Sequence, residues 1–303
     1  MTAGLAARTA PERPVPVPPP VEPARLPRRL VRNKRAVAGL VLLAVLCAVA
    51  FAGPLLSPWG WNDTDFTAFR QGPSARHWLG TTQSGRDVLA LTLRGTRRSL
   101  VIGMAVAVLS TGLAALVGMV AGFAGGWLDR ILMWGTDLLL VLPSFLVIAV
   151  LAPALGGGAA ALVPLLAGFL WMITARAVRG MTASLREREY VLAARFLGAG
   201  PARVIGRHVL PQLASLLVVD AGVNVSVAVV AESGLSLLGF GVRPPDVSLG
   251  MLIAAGQGTA TARPWPFAAA AAMLVLIVLA INLLGDGLRD VLDPAPRQRR
   301  SGR

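Results

Sequence analysis

Six stretches of this chain carry little or no charge and are long enough to cross a lipid bilayer: 36–56, 99–128, 131–155, 159–175, 212–239 and 264–285. The hydrocarbon core of a bilayer is about 30 Å thick, and an α-helix needs about 20 apolar residues to span it. Such a pattern predicts an all-α, polytopic membrane protein with six transmembrane helices. Composition agrees, since 55% hydrophobic residues and a mean hydropathy of +0.66 leave too little polar surface for a water-soluble domain.

Residues 1–27 carry prolines at close intervals and cannot pack a core, so this tail is expected to be disordered and cytoplasmic. A basic cluster follows (Arg28, Arg29, Arg32, Lys34, Arg35) and then the first span. Ala50-Phe51-Ala52 has the form of a signal-peptidase site. The apolar run is longer than a signal h-region and follows a long tail, which favours a retained helix. Residues 28–98 therefore form a first helix plus a polar extracytoplasmic segment. Residues 99–290 form a five-helix core whose Arg-rich loop covers 176–211, and 291–303 a basic cytoplasmic tail. Gly156-Gly157-Gly158 divides an apolar run too long for one crossing, so the third and fourth spans form a tight hairpin.

With six spans, twenty-one of the 29 Lys and Arg residues share one side with both termini and the 176–211 loop. The positive-inside rule places that side in the cytoplasm. The net charge of +14 is thus a feature of membrane topology, not a nucleic-acid surface, because the basic residues flank apolar spans without interleaved aromatics. The single cysteine, Cys47, excludes an intrachain disulfide and a cysteine metal site.

Several chemistries are excluded. A P-loop needs Gly-Lys-Ser/Thr, yet the only lysine, Lys34, follows Asn33. There is no G-x-S-x-G or H-E-x-x-H motif, and His77 and His208 fall on opposite sides of the membrane in this topology. Neither catalytic residues nor a metal or cofactor site is expected in the chain.

Asp137, Asp220 and Glu232 lie in or at the ends of apolar spans, where a central charge costs about 2.5–3.5 kcal/mol. They either form an ion or proton relay, as in a secondary transporter, or sit near helix ends paired with an arginine or amide. Pairing is favoured for Asp137 and Glu232, and Asp220 stays open. Gly118-x-x-x-Gly122 and Gly122-x-x-x-Gly126 place small residues on one face, for close approach inside the bundle or at a subunit interface. Pro143 should kink the third span.

Between the fourth and fifth spans, 186–197 reads as a short helix in which Tyr190, Ala193, Ala194 and Leu197 share one apolar face. Gly198 and Gly200-Pro201 end it. Such a helix could dock into a groove on another protein or lie on lipid headgroups, and spacing alone leaves both open.

The segment Glu189 to Pro211 resembles the EAA loop of ABC importer permeases, matching it at Ala193, Ala194, Gly198, Leu210 and Pro211. Leu192 stands where that family usually has glutamate. Gly80-Thr81-Thr82-Gln83-Ser84-Gly85-Arg86-Asp87 resembles the G-T-D-x-x-G-R-D segment of the dipeptide and oligopeptide branch, with Thr82 in place of aspartate. Glu232-Ser233-Gly234-Leu235-Ser236-Leu237-Leu238-Gly239-Phe240-Gly241, followed by Pro244-Pro245, resembles its E-S-x-L-S-F-L-G-x-G-x-x-P-P segment. By this resemblance the chain is similar to the second permease of the pair in peptide/nickel importers.

The resemblance implies a type I importer fold and a pore shared with a homologous permease in a bacterial inner membrane. It also implies two ABC ATPase domains that bind the ATP and Mg, an extracytoplasmic solute-binding protein, and a peptide, nickel or other small solute as cargo. Glu189, Tyr190, Ala193, Ala194, Leu197, Gly198 and Gly200 would couple to an ATPase. Gly85, Arg86, Asp87, Gly241, Pro244 and Pro245 would lie where the binding protein docks.

Overall fold

The computed structural model describes residues 31–292. The proline-rich 1–27 tail, Arg28, Arg29 and the basic tail from 293 onward lie outside the described residues. Within them the chain is helical, with a single isolated β-bridge between Thr81 and Asp87.

Helix α1 (Lys34–Leu56) starts where the Asn33 side chain accepts the N–H groups of Arg35 and Ala36 at 3.0 and 3.4 Å. After a loop over 57–87 comes α2 (Val88–Ala124). Asp87 caps it by accepting the N–H of Ala90 at 2.8 Å. The expected boundary between 98 and 99 therefore falls inside a helix. A capping carboxylate, not the last arginine, sets the start, and Arg94, Arg97 and Arg98 ride on its first turns. At 37 residues α2 is about 55 Å long, well beyond one bilayer core, so its charged end projects past the apolar zone.

The third expected span, 131–155, is not one helix. It is α3 (Gly126–Val141) and α4 (Ser144–Ala154), bent by 85° at Leu142-Pro143. Proline has no N–H to donate and its ring crowds the preceding turn, so the break falls where the kink was expected. Among the described residues five helices are long and apolar enough to cross a membrane, and this bent pair makes a sixth crossing if it is counted as one span. Gly156, Gly157 and Gly158 all take positive φ (88°, 70° and 72°), which lets the chain reverse in three residues.

Helix α5 (Gly158–Arg186) continues past the expected end at 175. Next come α6 (Glu189–Phe196), α7 (Pro201–Val204), a π-helical turn (Ile205–Val209) and α8 (Leu210–Leu237). The expected 186–197 helix is thus shorter, because Arg186 closes α5 and a turn at Glu187-Arg188 intervenes. A short α9 (Leu249–Gln257) precedes α10 (Trp265–Leu292), which runs beyond the expected end at 285.

Helices α2 and α8 form the centre. On one side Leu100, Ala107, Val225 and Val229 pack with Leu46 and Ala50 of α1, Leu249 of α9 and Ile277 and Ile281 of α10. On the other, Ile102, Val106, Ala228 and Leu235 pack with Ile148 of α4 and Leu162 and Leu166 of α5. A Cβ at Gly118 would sit 2.6 Å from the carbonyl of Ala175, and one at Gly122 would overlap the carbonyl of Arg179. These glycines therefore bring α2 against α5 within the chain. Gly126 lies beyond the end of α2 with nothing near it, so it takes no part in that contact. Val101, Met104, Val108, Leu116, Val150 and Ile173 stay exposed on the outside of the bundle, as lipid or a membrane partner requires.

Candidate functional site

Helix α6 lies on the face of the bundle where α2 ends, opposite the 57–87 loop. Val191 is fully buried and anchors it, while Phe196 and Leu197 are 90% and 89% exposed. Tyr190, Leu192 and Ala193 are exposed too, and Ala194 is partly buried. The face expected from the 190, 193, 194, 197 spacing is therefore the one presented outward. Phe196 joins it as its most exposed member. Its place in sequence beside Leu197 was the available signal.

Gly198 ends α6 with φ +84°, and the N–H groups of Gly198 and Ala199 reach back to the carbonyls of Arg195 and Ala194, both at 3.0 Å. Pro201 opens α7 at a position where its missing N–H costs nothing. Gly200, just before it, is exposed and serves as the N-cap. Glu189 stands in the first turn of α6 and complements the helix dipole. The Arg195 guanidinium lies 5.7 Å from the Phe123 ring, and Arg186 Nη1 donates to the Phe123 carbonyl at 3.3 Å. The Tyr190 ring sits 6.2 Å from that of His208 in the π-helical turn. Helix α6 thus touches the end of α2 through Arg195 and the π-helical turn before α8 through Tyr190, and it follows α5 across the Glu187-Arg188 turn.

The intramembrane carboxylates do not converge. Asp137 pairs with Arg176, half exposed, as the helix-end reading expected. Asp129, which lies between the second and third apolar stretches, pairs with Arg179, whose Nε donates at 2.9 Å. Asp220 accepts from Thr111 of α2 at 2.7 Å, from Thr174 of α5 and from Asn224 at 3.0 Å. Asn224 lies at i+4 on the same helix, a signal present in the sequence, whereas Thr111 and Thr174 come from other helices. Glu232 is fully buried and, against expectation, meets neither arginine nor amide. Ser236 donates to it at 2.7 Å and Ser99 at 3.4 Å. Hydroxyls can satisfy a buried carboxyl where a long cation would not fit. Asp220 and Glu232 are twelve residues apart on α8, about 18 Å along the axis, too far for direct proton transfer. Among the described residues no three His, Cys, Asp or Glu side chains gather as a metal site.

On the opposite face, Asp87 is buried, and His77 Nδ1 lies 2.9 Å from its carboxylate. The other ring nitrogen faces Asp65 at 3.5 Å. Gly85 has φ +73°, and a Cβ there would lie 2.5 Å from the Asp65 carbonyl. Asp87 and Gly85 are therefore occupied in shaping the loop. Gly241 is buried against Ser236, while Pro244 and Pro245, joined by a cis peptide bond, are exposed.

The bundle has the length and apolarity to cross a membrane and presents a firmly anchored, apolar-faced helix on one side. The chain belongs to the family of binding-protein-dependent transport system inner membrane components, which matches residues 114–298. Residues 25–73 match the N-terminal transmembrane domain of oligopeptide transport permease C. It is 55% identical over 277 residues to the oligopeptide transport system permease protein OppC of Mycobacterium tuberculosis, covering 91% of this chain and 95% of that protein. The OppC of Mycobacterium bovis matches equally. The dipeptide transport system permease protein DppC of Bacillus subtilis is 38% identical over 272 residues, covering 89% and 85%. The chain is a non-catalytic, multi-pass permease subunit.

Proposed function

We propose that this chain is one of two permeases forming the pore of an ATP-driven importer of dipeptides or oligopeptides, set in the cytoplasmic membrane with both termini inside. Two ABC ATPase domains supply the ATP and Mg chemistry, and a solute-binding protein delivers cargo to the face carrying the 57–87 loop and α9. Relatives named for oligopeptide and dipeptide transport support the cargo class.

The observation that carries the coupling role is α6. Its exposed Phe196, Leu197, Tyr190 and Leu192 form an apolar surface, while buried Val191 and the contacts to Phe123 bind it to the bundle. A helix of this kind suits a groove on an ATPase, with Leu192 offering apolar area where related loops carry glutamate. Coupling requires that nucleotide favour one conformation of the pore, and a helix tied to α2, α5 and α8 transmits that bias.

Phe196→Glu with Leu197→Glu tests this. Pulled down from solubilised membranes, the wild type brings a second permease and a P-loop ATPase. The double variant keeps the permease and loses the ATPase. Retention of the ATPase by the double variant overturns the role of α6, and absence of any ATPase from the wild type overturns the importer reading.

A further inference from the structure

A cavity of about 360 Å³ opens on the face opposite α6, between the 82–86 turn, the start of α2, helix α9 and the start of α10. Its floor is apolar, formed by Val88, Leu91, Met251 and Leu252, and its rim carries Thr82, Ser84 and Arg86. Its size falls within the range of small-molecule sites, which combine an apolar lining with a few placed polar groups.

Arg86 is the unusual member. It is the one charged residue lining the cavity. On the same face Arg76 lies 3.5 Å from Asp65, and Arg94 and Arg98 lie 3.9 and 2.5 Å from Asp246, while Arg97 lies over the Phe51 ring. Arg86 has no ion pair and no side-chain hydrogen bond among the described residues; its Nε is buried without a partner, as are those of Arg94 and Arg98, but those two guanidiniums reach Asp246 through Nη2. No Asp or Glu lines the cavity. A partly desolvated guanidinium with an unsatisfied N–H is costly unless an anion completes it, and its planar fork matches a carboxylate through two parallel hydrogen bonds. The backbone holds the residue in place. The Arg86 N–H donates to Thr82 Oγ1 at 3.1 Å, and its carbonyl accepts from the Thr82 N–H at 2.9 Å.

We infer that Arg86 and this cavity form a receiving subsite for the carboxylate of a peptide cargo, with the carboxylate on Arg86 and the adjoining side chain against Leu91, Met251 and Leu252. This rests on the peptide-import reading and adds a selectivity determinant within the permease. Two features favour a small cargo over an acidic side chain of the binding protein. The guanidinium is half-sheltered inside a concavity, and the flanking wall is apolar enough to take a cargo side chain.

The test uses the complete transporter in proteoliposomes, with saturating binding protein loaded with a dipeptide or with the same dipeptide amidated at its carboxyl end. Arg86→Gln is expected to lower uptake of the free acid by about 10- to 100-fold, the scale of a lost charge-assisted pair. Arg86→Lys should keep part of the uptake. The amidated peptide should enter the wild type as slowly as the free acid enters the variant, and Arg86→Gln should slow it no further. Affinity of the loaded binding protein for the transporter should be unchanged. Equal uptake of the free acid by wild type and Arg86→Gln overturns the inference. So does loss of binding-protein affinity, which would assign Arg86 to docking. If the wild type carries no peptide at all, the peptide reading fails and this subsite with it.

Discussion

The Ser236 hydroxyl donates to Glu232 Oε1 at 2.7 Å, one helical turn away, and accepts the N–H of Val242 at 3.3 Å. Ser99 repeats the arrangement, accepting the N–H of Leu249 at 3.2 Å and facing Oε2 at 3.4 Å. Each hydroxyl accepts one backbone N–H and gives its hydrogen to Glu232, which is the acceptor that receives both. Helix α2, the end of α8, the turn at Val242 and the start of α9 therefore share one buried carboxyl. Glu232→Gln supplies only one acceptor oxygen, so one of the two hydroxyls must give up its donation and turn its remaining lone pair to the amide nitrogen. The variant should lose about 1–3 kcal/mol of stability, and Ser236→Ala about 1 kcal/mol, in reversible unfolding of the solubilised chain. Glu232→Gln with wild-type stability would remove this account.

The helical, membrane-spanning architecture was legible because uncharged length is a strong signal. The ends of helices were not, since polar contacts from distant residues set them. Charge runs placed the start of α2 at 99, while Asp87, fixed by His77, begins it at Val88. The apolar face of α6 was readable from a spacing of three and four, yet its direction depended on Val191 turning inward. Of the hydroxyls around Asp220 and Glu232, Ser236 alone is an i+4 neighbour; Thr111, Thr174 and Ser99 come from other helices, and no local pattern announces them. Likewise, nothing in the sequence marks Arg86 as unpartnered, because that depends on where every carboxylate ends up.

Gly122 permits contact between α2 and α5. A Cβ there would overlap the Arg179 carbonyl and lie 2.8 Å from Thr182 Cβ, and backbone cannot yield as a flexible side chain can. Gly122→Ala is expected to cost about 1–3 kcal/mol. Gly112→Ala, in the same helix where nothing lies within 4 Å, should leave the melting temperature of the isolated chain unchanged or raise it, because alanine is the better helix former. Equal effects at the two positions would count against the close contact.

The 57–87 loop should open in acid. The Thr67 hydroxyl, donating to Asp65 at 2.6 Å, holds that carboxyl below the usual carboxylate range, helped by the Thr67 N–H at 2.9 Å, His77 and Arg76 and opposed by burial. A depressed carboxyl stabilises the fold fully above its unfolded pKa of about 3.9 and stops doing so as pH falls through the lower folded value. Thr67→Val removes the strongest donor, so opening should move to higher pH. Hydrogen exchange across 59–87, corrected for intrinsic rates, reads this directly. An unchanged midpoint would mean that another group controls the loop.

Asp220 separates a structural role from a proton-carrying one. Its carboxylate accepts from Thr111, Thr174 and Asn224, joining α2 and α5 to α8 through neutral donors, and no cation is among these partners. In Asp220→Asn the amide oxygen can keep Thr111 and Asn224, and the Thr174 hydroxyl turns to accept from the amide nitrogen, so charge-assisted bonds become neutral ones at about 1 kcal/mol. The asparagine cannot carry a proton. If Asp220 only fastens three helices, Asp220→Asn lowers the melting temperature, yet uptake in proteoliposomes still requires ATP and is unaffected by a protonophore in both forms. A secondary transporter predicts the reverse: wild-type uptake would collapse with the proton gradient, and Asp220→Asn would abolish it without changing stability. The 18 Å or so between Asp220 and Glu232 along α8, with neither touching the other's partners, favours the first outcome.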